Sequence, residues 1–483
     1  MRDASLRGVT TFDGDEGNIH VLQTLDARAE AQELMSVTNC TLNAQSNKPT
    51  MGIVFNGPVA AMLLTQPETT VSPGDFYDSL SYLTQREQLA SLEARMNKYN
   101  VPYTTQVEIG RRHYVVRNKK EFDLVTDPKG HLALPIKNKA GVIVKYDYPA
   151  ADDIKSEPIT ETHFSGRALF SALFPEDLSY EGPKGVIIQE GVLTSGVITR
   201  NHIGPERGSI IHSMILNYST GRFVDFMTDT TFLLNRWFSQ YGFSIGISSC
   251  LVEDPEFKKE SEELIERARM FVTAMGAEPD NPLEAEKWEE QILAYIGGPA
   301  NVIADQIHSR LPKTNALNIA ALSGAKGKTS NLVQIAFFVG QQHLDGRQIK
   351  AQMTYGTRCL PWFFKGEESL EAHGFCTSSF LKGLSPSEMY FNMMAGRESM
   401  MGVAVSTSES GFMHRKAVKT LQDVKTTYDG SVRGVDNTIF QYIYGDDGFT
   451  PTRLQLVETK KSKFLSFIDI KAVSKLINQR YGF

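Results

Sequence analysis

The chain has 483 residues, of which 41% are apolar and 22% are charged, and its formal charge is −6. These values are typical of a globular protein of two to four domains, and they argue against disorder and against nucleic-acid binding through overall basicity. Four widely separated cysteines without a CxxC pair argue against a structural zinc site and a disulfide framework. No segment resembles a signal core or a membrane span, so we expect an intracellular protein without a membrane anchor.

An acidic motif lies near the start of the chain, where glycine separates Asp13 from Asp15. In an extended or tightly turned loop, these alternate side chains can converge on one hard cation, and Mg²⁺ prefers carboxylate and phosphate oxygens. A solvated turn is the alternative for so short a motif. An EF-hand calcium loop is disfavoured, because no glutamate closes a twelve-residue loop and the flanks are not helical.

The middle of the chain changes from strands to helices. Hairpin-like strands are predicted around residues 107–118 and 140–148, and residues 186–200 read as two apolar strands around a glycine turn. From about 223 to 335 the apolar period is helical. There Asp254 and Pro255 predict a helix start, and the helix that follows carries a packing face. That face consists of Leu264, Ala268, Phe271 and Met275.

A lysine-glycine segment at 323–329 ends in Gly327-Lys328-Thr329, as a phosphate-binding P-loop does. The P-loop also needs glycine five places before Gly327, where this chain has Leu322. The preceding residues read as a helix, whereas a P-loop requires a strand there. The sequence therefore argues against a P-loop NTPase.

An unusually long helix is predicted over about 385–423. Ser385 and Glu388 form a capping box with proline at the first helical position. The helix would span about 38 residues, or about 57 Å at 1.5 Å per residue. It contains Gly396, Gly402 and Gly411, each costing about 1 kcal/mol relative to alanine. Glycines in such a helix indicate either close approach by another backbone or a place that bends.

Four stretches together resemble the largest catalytic subunit of multisubunit DNA-directed RNA polymerases, of the eukaryotic and large-DNA-virus type. They are residues 12–54, with the acidic motif, residues 315–347, residues 374–425, with the long helix, and residues 439–448. The resemblance implies an internal part of that subunit, from the active-site loop to the helix that bridges the polymerase cleft. It implies Mg²⁺-assisted transfer of nucleotides from NTPs to the RNA 3′ end.

The acidic motif departs from this family at one position. The family has three metal-binding aspartates in the pattern Asp-Phe-Asp-Gly-Asp, of which Asp13 and Asp15 match the second and third, while Thr11 occupies the first. A neutral hydroxyl there removes one negative charge from the metal site. Two explanations remain open: a gene junction near residue 11, or a degenerate site.

The resemblance also implies roles for other residues. Lys326 would steer incoming triphosphates by its charge, although a solvated loop lysine is the alternative. Gly402, Val403 and Ala404 form the centre of the bridging helix, where Val403 replaces a family threonine. The basic residues near its end would neutralise template phosphates, or would only complement the helix dipole. They are Arg415, Lys416 and Lys419.

The implied fold is α+β and multidomain. It has a β-rich active-site and pore region (1–60 and 61–222), a helical funnel domain (223–350) and a mixed cleft domain with the bridge helix (351–483). Implied partners are the second-largest subunit, other polymerase subunits, other pieces of the largest subunit, template DNA, transcript RNA and NTPs. The protein would be inactive alone and would work in the nucleus, the cytoplasm or a viral factory or virion. The rival hypothesis is a degenerate, non-catalytic scaffold that docks with polymerase subunits.

Overall fold

The computed structural model describes residues 19–84, 89–117, 120–126, 131–137, 143–149, 154–252, 254–276, 278–279, 281–458 and 463–468, with residues 470, 473, 474 and 477. Its helices are α1 (Leu25–Glu33), α2 (Asn56–Leu64), α3 (Pro73–Leu80), α4 (Leu92–Lys98), α5 (Gly166–Ser171), α6 (Arg200–Ile203), α7 (Ile210–Asn217), α8 (Thr220–Tyr241), α9 (Pro255–Met275), α10 (Pro282–Arg310), α11 (Ala316–Ser323), α12 (Thr329–Ala336) and α13 (Pro386–Leu421).

The strands are short apart from two. They are β1 (Thr70–Val71), β2 (Thr104–Arg117), β3 (Lys120–Asp123), β4 (Val125–Thr126), β5 (Leu132–Lys137), β6 (Ile143–Asp147), β7 (Ile154–Ser165), β8 (Tyr180–Glu181), β9 (Ile187–Gln189), β10 (Val192–Ser195), β11 (Gly340–Gln341), β12 (Phe375–Cys376), β13 (Lys425–Thr426), β14 (Val432–Arg433), β15 (Ile439–Gln441), β16 (Gln455–Glu458) and β17 (Lys463–Ser466). Helices and small antiparallel sheets make an α+β fold, as predicted. No helix among the described residues is long and apolar enough to cross a membrane.

The chain divides into two compact units. One, here called the sheet unit, consists of Ala60–Ile198 and Asn217–Tyr241. The other, here called the helical unit, consists of the described residues of Met1–Val59, Thr199–Leu216 and Gly242–Phe483.

The sheet unit is built on an antiparallel sheet with the order β1-β7-β2-β3, in which β2 and β7 form a long ribbon. Strands β4, β5 and β6 form a second sheet, and β8, β9 and β10 a third. β9 and β10 are joined by Glu190 and Gly191, both with positive φ, so the predicted strand pair around a glycine turn is confirmed. The strands predicted around 107–118 and 140–148 are present as β2 and β6.

Aromatic side chains form the core beneath this sheet. Phe76 of α3 stacks on Phe164 of β7 with ring centroids 3.9 Å apart, and both rings are buried. At the next turn, α5 lies so close to α2 that a Cβ on Gly166 would be 2.1 Å from the Leu64 carbonyl oxygen. Only glycine fits at that position, and this close approach fixes the two helices against the sheet.

The helical unit has a core between α9, α10 and α12. α9 begins at the predicted N-cap Asp254, whose carboxylate accepts hydrogen bonds from the backbone of Glu256 and Phe257. The predicted packing face of α9 is confirmed, since Ala268 is buried and Phe271 stacks on Tyr295 of α10. Its other members, Leu264 and Met275, pack against the same core.

The described residues between 19 and 59 differ from the predicted β-rich character. They contain α1 and the start of α2, and their extended backbone is limited to an isolated antiparallel bridge between Leu42 and Pro49. The turn inside that bridge contains Asn43, Gln45, Ser46, Asn47 and Lys48, so a tight loop replaces a regular strand pair.

Candidate functional site

The acidic motif assigned to a metal lies outside the described residues, and so do Asp13, Asp15 and Thr11 individually. α1 follows it, and none of the side chains of this helix is buried. Within the described ranges, no three His, Cys, Asp or Glu side chains are grouped so that they could hold a metal ion. The magnesium site therefore stays a prediction.

The segment downstream of the acidic motif is fixed by Asn47, which is fully buried and has a left-handed backbone conformation (φ 47°). Its side-chain nitrogen donates to the carbonyl oxygen of Leu454 at 2.8 Å. Its side-chain oxygen accepts from Nε2 of His212 at 3.1 Å. Because Asn47 satisfies both partners, it joins three distant segments of the helical unit through one buried side chain.

His212 on α7 completes this network. Its Nδ1 accepts from the backbone N–H of Gly208 at 3.0 Å, so Nε2 carries the proton that Asn47 accepts. Burial, together with the charge of Arg207, lowers the pKa of His212 to about 4. The ring is therefore neutral at physiological pH.

Lys326 lies on an exposed loop between two helices of the helical unit. α11 ends at Ser323, Gly324 continues with left-handed φ, and α12 begins at Thr329 after the N-cap Lys328. A helix therefore precedes the loop, where a P-loop requires a strand, and the structure supports the rejection of a P-loop NTPase.

Arg200 is a second cation at this loop, and no sequence motif indicated it. Its Nη1 donates to the Gly324 carbonyl oxygen at 3.4 Å, and its Cβ would be 3.0 Å from a Cβ on Gly324. Like Lys326, Arg200 is exposed. The two residues are far apart along the chain, and no local pattern could have paired them. Together they form what we call the cationic loop site.

Two glutamines connect the segment after α12 to the long helix. The side-chain nitrogen of Gln341 donates to the carbonyl oxygens of Gln342 and His373, both at 2.8 Å. The side-chain oxygen of Gln342 accepts from Asn392 of α13 at 3.3 Å. These contacts give the pair a structural role beside the first turns of α13.

The long helix is present as predicted, as one continuous α13 of 36 residues that begins after the N-cap Ser385. Both halves of the capping box form, between Ser385 and Glu388. Glu388 also accepts hydrogen bonds from the backbone N–H groups of Thr377 and Ser378, at 2.8 and 3.0 Å. The first turns are further held by Phe391, which is buried against Ile349 and Leu360.

Residues 399–421 form what we call the bare part of α13. Every side chain from 399 to 421 is exposed, and Val403 is 67% exposed. Nothing described lies within 4 Å of a Cβ built on Gly396, Gly402 or Gly411. No described residue therefore makes the predicted close approach to these glycines, and the space around them is open in the described part of the chain.

The basic residues near the end of α13 also lie in its bare part. Arg415, Lys416 and Lys419 are exposed, and Lys416 Nζ lies 4.3 Å from the ring centroid of Phe412. Both groups therefore lie on α13: Gly402, Val403 and Ala404 are separated from the basic residues by about 20 Å at 1.5 Å per residue. It places Lys326 on a different element of the same unit.

Three family profiles match the chain in succession. Residues 40–250 match RNA polymerase Rpb1, domain 3, and residues 280–376 match RNA polymerase Rpb1, domain 4. Residues 383–478, which include α13, match RNA polymerase Rpb1, domain 5. The matches define a multidomain segment of a multisubunit polymerase.

Individual relatives agree with these profiles. A probable DNA-directed RNA polymerase II subunit RPB1 homolog of Invertebrate iridescent virus 6 is 27% identical over 97% of this chain and 42% of its own length. DNA-directed RNA polymerase subunit Rpo1N of Methanocaldococcus jannaschii is 31% identical over 91% of this chain and 30% of its own. DNA-directed RNA polymerase III subunit RPC1 of Saccharomyces cerevisiae is 29% identical over 92% and 28%.

The chain belongs to the family of the largest subunits of DNA-directed RNA polymerases, as the sequence resemblance indicated. It spans less than half the length of each of these relatives. The family assignment therefore concerns an internal portion of such a subunit.

Proposed function

We propose that this chain supplies part of the catalytic core of a DNA-directed RNA polymerase, which adds nucleotides from NTPs to the 3′ end of RNA on a DNA template. The observation that carries the proposal is the unbroken order of three Rpb1 domains along the chain, the last containing the continuous helix α13. In this proposal residues 1–60 are the active-site loop region, 61–222 the pore, 223–350 the funnel and 351–483 the cleft with its bridge helix.

Asp13 and Asp15 would hold a catalytic Mg²⁺, with Thr11 as a weaker neighbour. The donor chemistry fits, because carboxylates suit Mg²⁺ and this ion is commonly held by one or two protein carboxylates plus water and phosphate oxygens. Bound magnesium would supply charge stabilisation to the reacting phosphate oxygens. The reaction is attack by the RNA 3′ hydroxyl on the α-phosphate of an NTP, with release of pyrophosphate.

The cationic loop site would attract incoming nucleotides. Lys326 and Arg200 are both exposed, and Arg200 donates to the carbonyl oxygen of Gly324, two residues before Lys326. Two adjacent cations raise the local concentration of a triphosphate through long-range attraction, which weakens as salt rises. Lysine acts here as a point charge and arginine as a planar donor group.

The bare part of α13 would lie beside nucleic acid and other subunits. Arg415, Lys416 and Lys419 would neutralise template phosphates, which is a contact independent of base sequence. Gly402, Val403 and Ala404 would face the reacting end of the RNA.

The exposed apolar residues of this stretch support coverage by further chains, since large exposed apolar surfaces mark interaction sites. They include Met400, Met401, Val403, Phe412, Met413 and Leu421. The second-largest polymerase subunit, other polymerase subunits and further pieces of the largest subunit are the expected partners, in the nucleus, the cytoplasm, a viral factory or a virion.

The test is promoter-independent RNA synthesis by the native complex, purified through a tag on this chain. Asp13→Ala and Asp15→Ala should each reduce synthesis by at least a hundredfold. Asp26→Ala, on the exposed first turn of α1, is the matched control and should retain activity. Equal activity of all three variants and the unaltered complex would reject catalysis by this motif. An assembled but inactive unaltered complex would favour the non-catalytic scaffold.

A further inference from the structure

A histidine at the end of α10 contacts both helices that flank the cationic loop site. Nδ1 of His308 lies 2.5 Å from Oδ1 of Asn318 on α11, and Nε2 lies 2.9 Å from Oγ1 of Thr329, the first residue of α12. Asn318 is 2% exposed, so its carbonyl oxygen depends on a protein partner. We propose that His308 is a positioning residue that fixes the orientation of the Lys326 loop.

The hydrogen-bond chemistry supports this role. The amide oxygen of Asn318 can only accept, so Nδ1 of His308 donates to it. In the neutral ring, Nε2 then accepts from the Thr329 hydroxyl. One imidazole thus makes two directed bonds to two different helices, which a smaller or apolar side chain cannot do.

The two residues that His308 contacts lie before and after the loop in the sequence. Asn318 lies six residues before Gly324, and Thr329 lies three residues after Lys326. Asn318 is itself fixed, because its backbone N–H donates to Oδ1 of Asn315, the N-cap of α11.

Between these two residues, Gly324 and Gly327 both have positive φ and give the loop backbone little stiffness of its own. The N-cap Lys328 makes no side-chain hydrogen bond to α12. The Thr329–His308 contact therefore holds the first residue of α12, while Leu332 and Val333 further along the helix pack in the core. Loss of His308 frees the loop on that side, and Lys326 then samples directions away from the incoming phosphates.

The inference rests on the proposed nucleotide-steering role of Lys326, but its structural half can be tested separately. Hydrogen exchange of the amides at 325–328 in the full chain should become at least tenfold faster in His308→Ala. In His308→Gln, which offers one donor and one acceptor, it should stay within about threefold of the unaltered chain. Ser309→Ala, at the next position of α10, is the control for helix substitution. Unchanged exchange in His308→Ala would overturn the inference.

The functional half uses the assembled polymerase. His308→Ala should raise KM for NTPs threefold to tenfold with kcat within twofold, and His308→Gln should restore KM. In a Lys326→Ala background, His308→Ala should add nothing further, because it acts through Lys326. Full additivity of the two substitutions, or a loss of kcat alone, would overturn the inference. No effect of Lys326→Ala on KM would instead reject the steering role, and the exchange measurement would still decide whether His308 fixes the loop.

Discussion

Glu388 and Ser385 hold each other at the start of α13: the Glu388 carboxylate accepts from the Ser385 backbone N–H at 2.8 Å, and the Ser385 hydroxyl accepts from the Glu388 N–H at 3.4 Å. Glu388 is only 7% exposed. Burial opposes its ionisation, but the hydrogen bonds from Ser385 and Ser378 outweigh burial and lower the pKa to about 2. The long helix therefore begins at an ionised, almost fully buried carboxylate.

Replacement of Glu388 by glutamine should destabilise the helical unit. The amide has one acceptor oxygen, so at least one backbone donor among Thr377, Ser378 and Ser385 loses its partner, at a cost of about 1–3 kcal/mol. Urea unfolding of the purified chain at pH 7 measures this cost. Glu409→Gln, at an exposed site on the same helix, is the control and should change the free energy of unfolding by less than about 0.5 kcal/mol.

The lowered pKa of Glu388 also predicts that the folded chain loses stability in acid. Its pKa is near 2 in the folded chain and has an ordinary value of 4.5, so its contribution is complete above pH 4.5 and disappears as pH falls towards 2. The total is about 3 kcal/mol from a shift of this size. The slope of unfolding free energy against pH in this window should be smaller in Glu388→Gln, and identical slopes would contradict the assignment.

The lowered pKa of His212 predicts a second loss of stability, which begins at a higher pH than that of Glu388. Its folded pKa of about 4 lies below the ordinary 6.5, so the unfolded chain binds the extra proton between these values. Stability is complete above pH 6.5 and is lost as pH falls towards 4, by about 2 kcal/mol at pH 5. His212→Gln should lack this loss between pH 7.5 and 5, whereas the exposed His20→Gln should keep it. Urea titrations at the two pH values make the comparison.

Local spacing predicted the elements of this structure better than it predicted the site. The capping box of Ser385 and Glu388 and the N-cap Asp254 involve partners within three residues, so their spacing alone identifies them. Arg200 and Gly324 are 124 residues apart, and Asn47 and Leu454 are 407 apart. Such contacts depend on how helices pack, which no local pattern encodes.

Family resemblance added residues that neither spacing nor packing reveals. Lys326 and Val403 are exposed, and no described residue lies close to Gly402. Their proposed roles depend on molecules outside this chain. Neither spacing nor packing within this chain therefore distinguishes these positions.

Alanine in place of Gly402 or Gly411 should stiffen the bare part of α13. Each substitution removes a cost of about 1 kcal/mol and meets no clash with the described residues, so amides at 399–421 should exchange about fivefold more slowly. In the assembled polymerase, the same substitutions should slow RNA elongation, because a methyl group occupies space or resists bending there. Ser399→Ala is the control on the same helix. Slower exchange with an unchanged elongation rate would contradict a need for bending or close approach at these glycines.

Paired loss of Arg415 and Lys419 should weaken binding to template DNA without changing its sequence preference. Each lost phosphate contact reduces the slope of log affinity against log salt by about 0.9, so the double alanine variant should lose about 1.8. Binding of the assembled polymerase to a primed template at several salt concentrations measures the slope. Lys258→Ala with Lys259→Ala, on the exposed face of α9, is the charge-matched control. An equal slope in both variants would leave only the helix-dipole role.

Thr11→Asp should strengthen the proposed magnesium site. The substitution adds a third carboxylate beside Asp13 and Asp15, and carboxylate oxygens are the protein ligands that Mg²⁺ prefers. If the site is degenerate, the Mg²⁺ concentration for half-maximal RNA synthesis should fall several-fold, with the larger change at low Mg²⁺. Thr10→Asp places the same charge one residue away and should not reproduce the effect. If a separate polypeptide already supplies the missing aspartate, a fourth carboxylate would crowd the site, and Thr11→Asp should lower activity at every Mg²⁺ concentration. The direction of the change therefore distinguishes a degenerate site from one completed by another piece of the subunit.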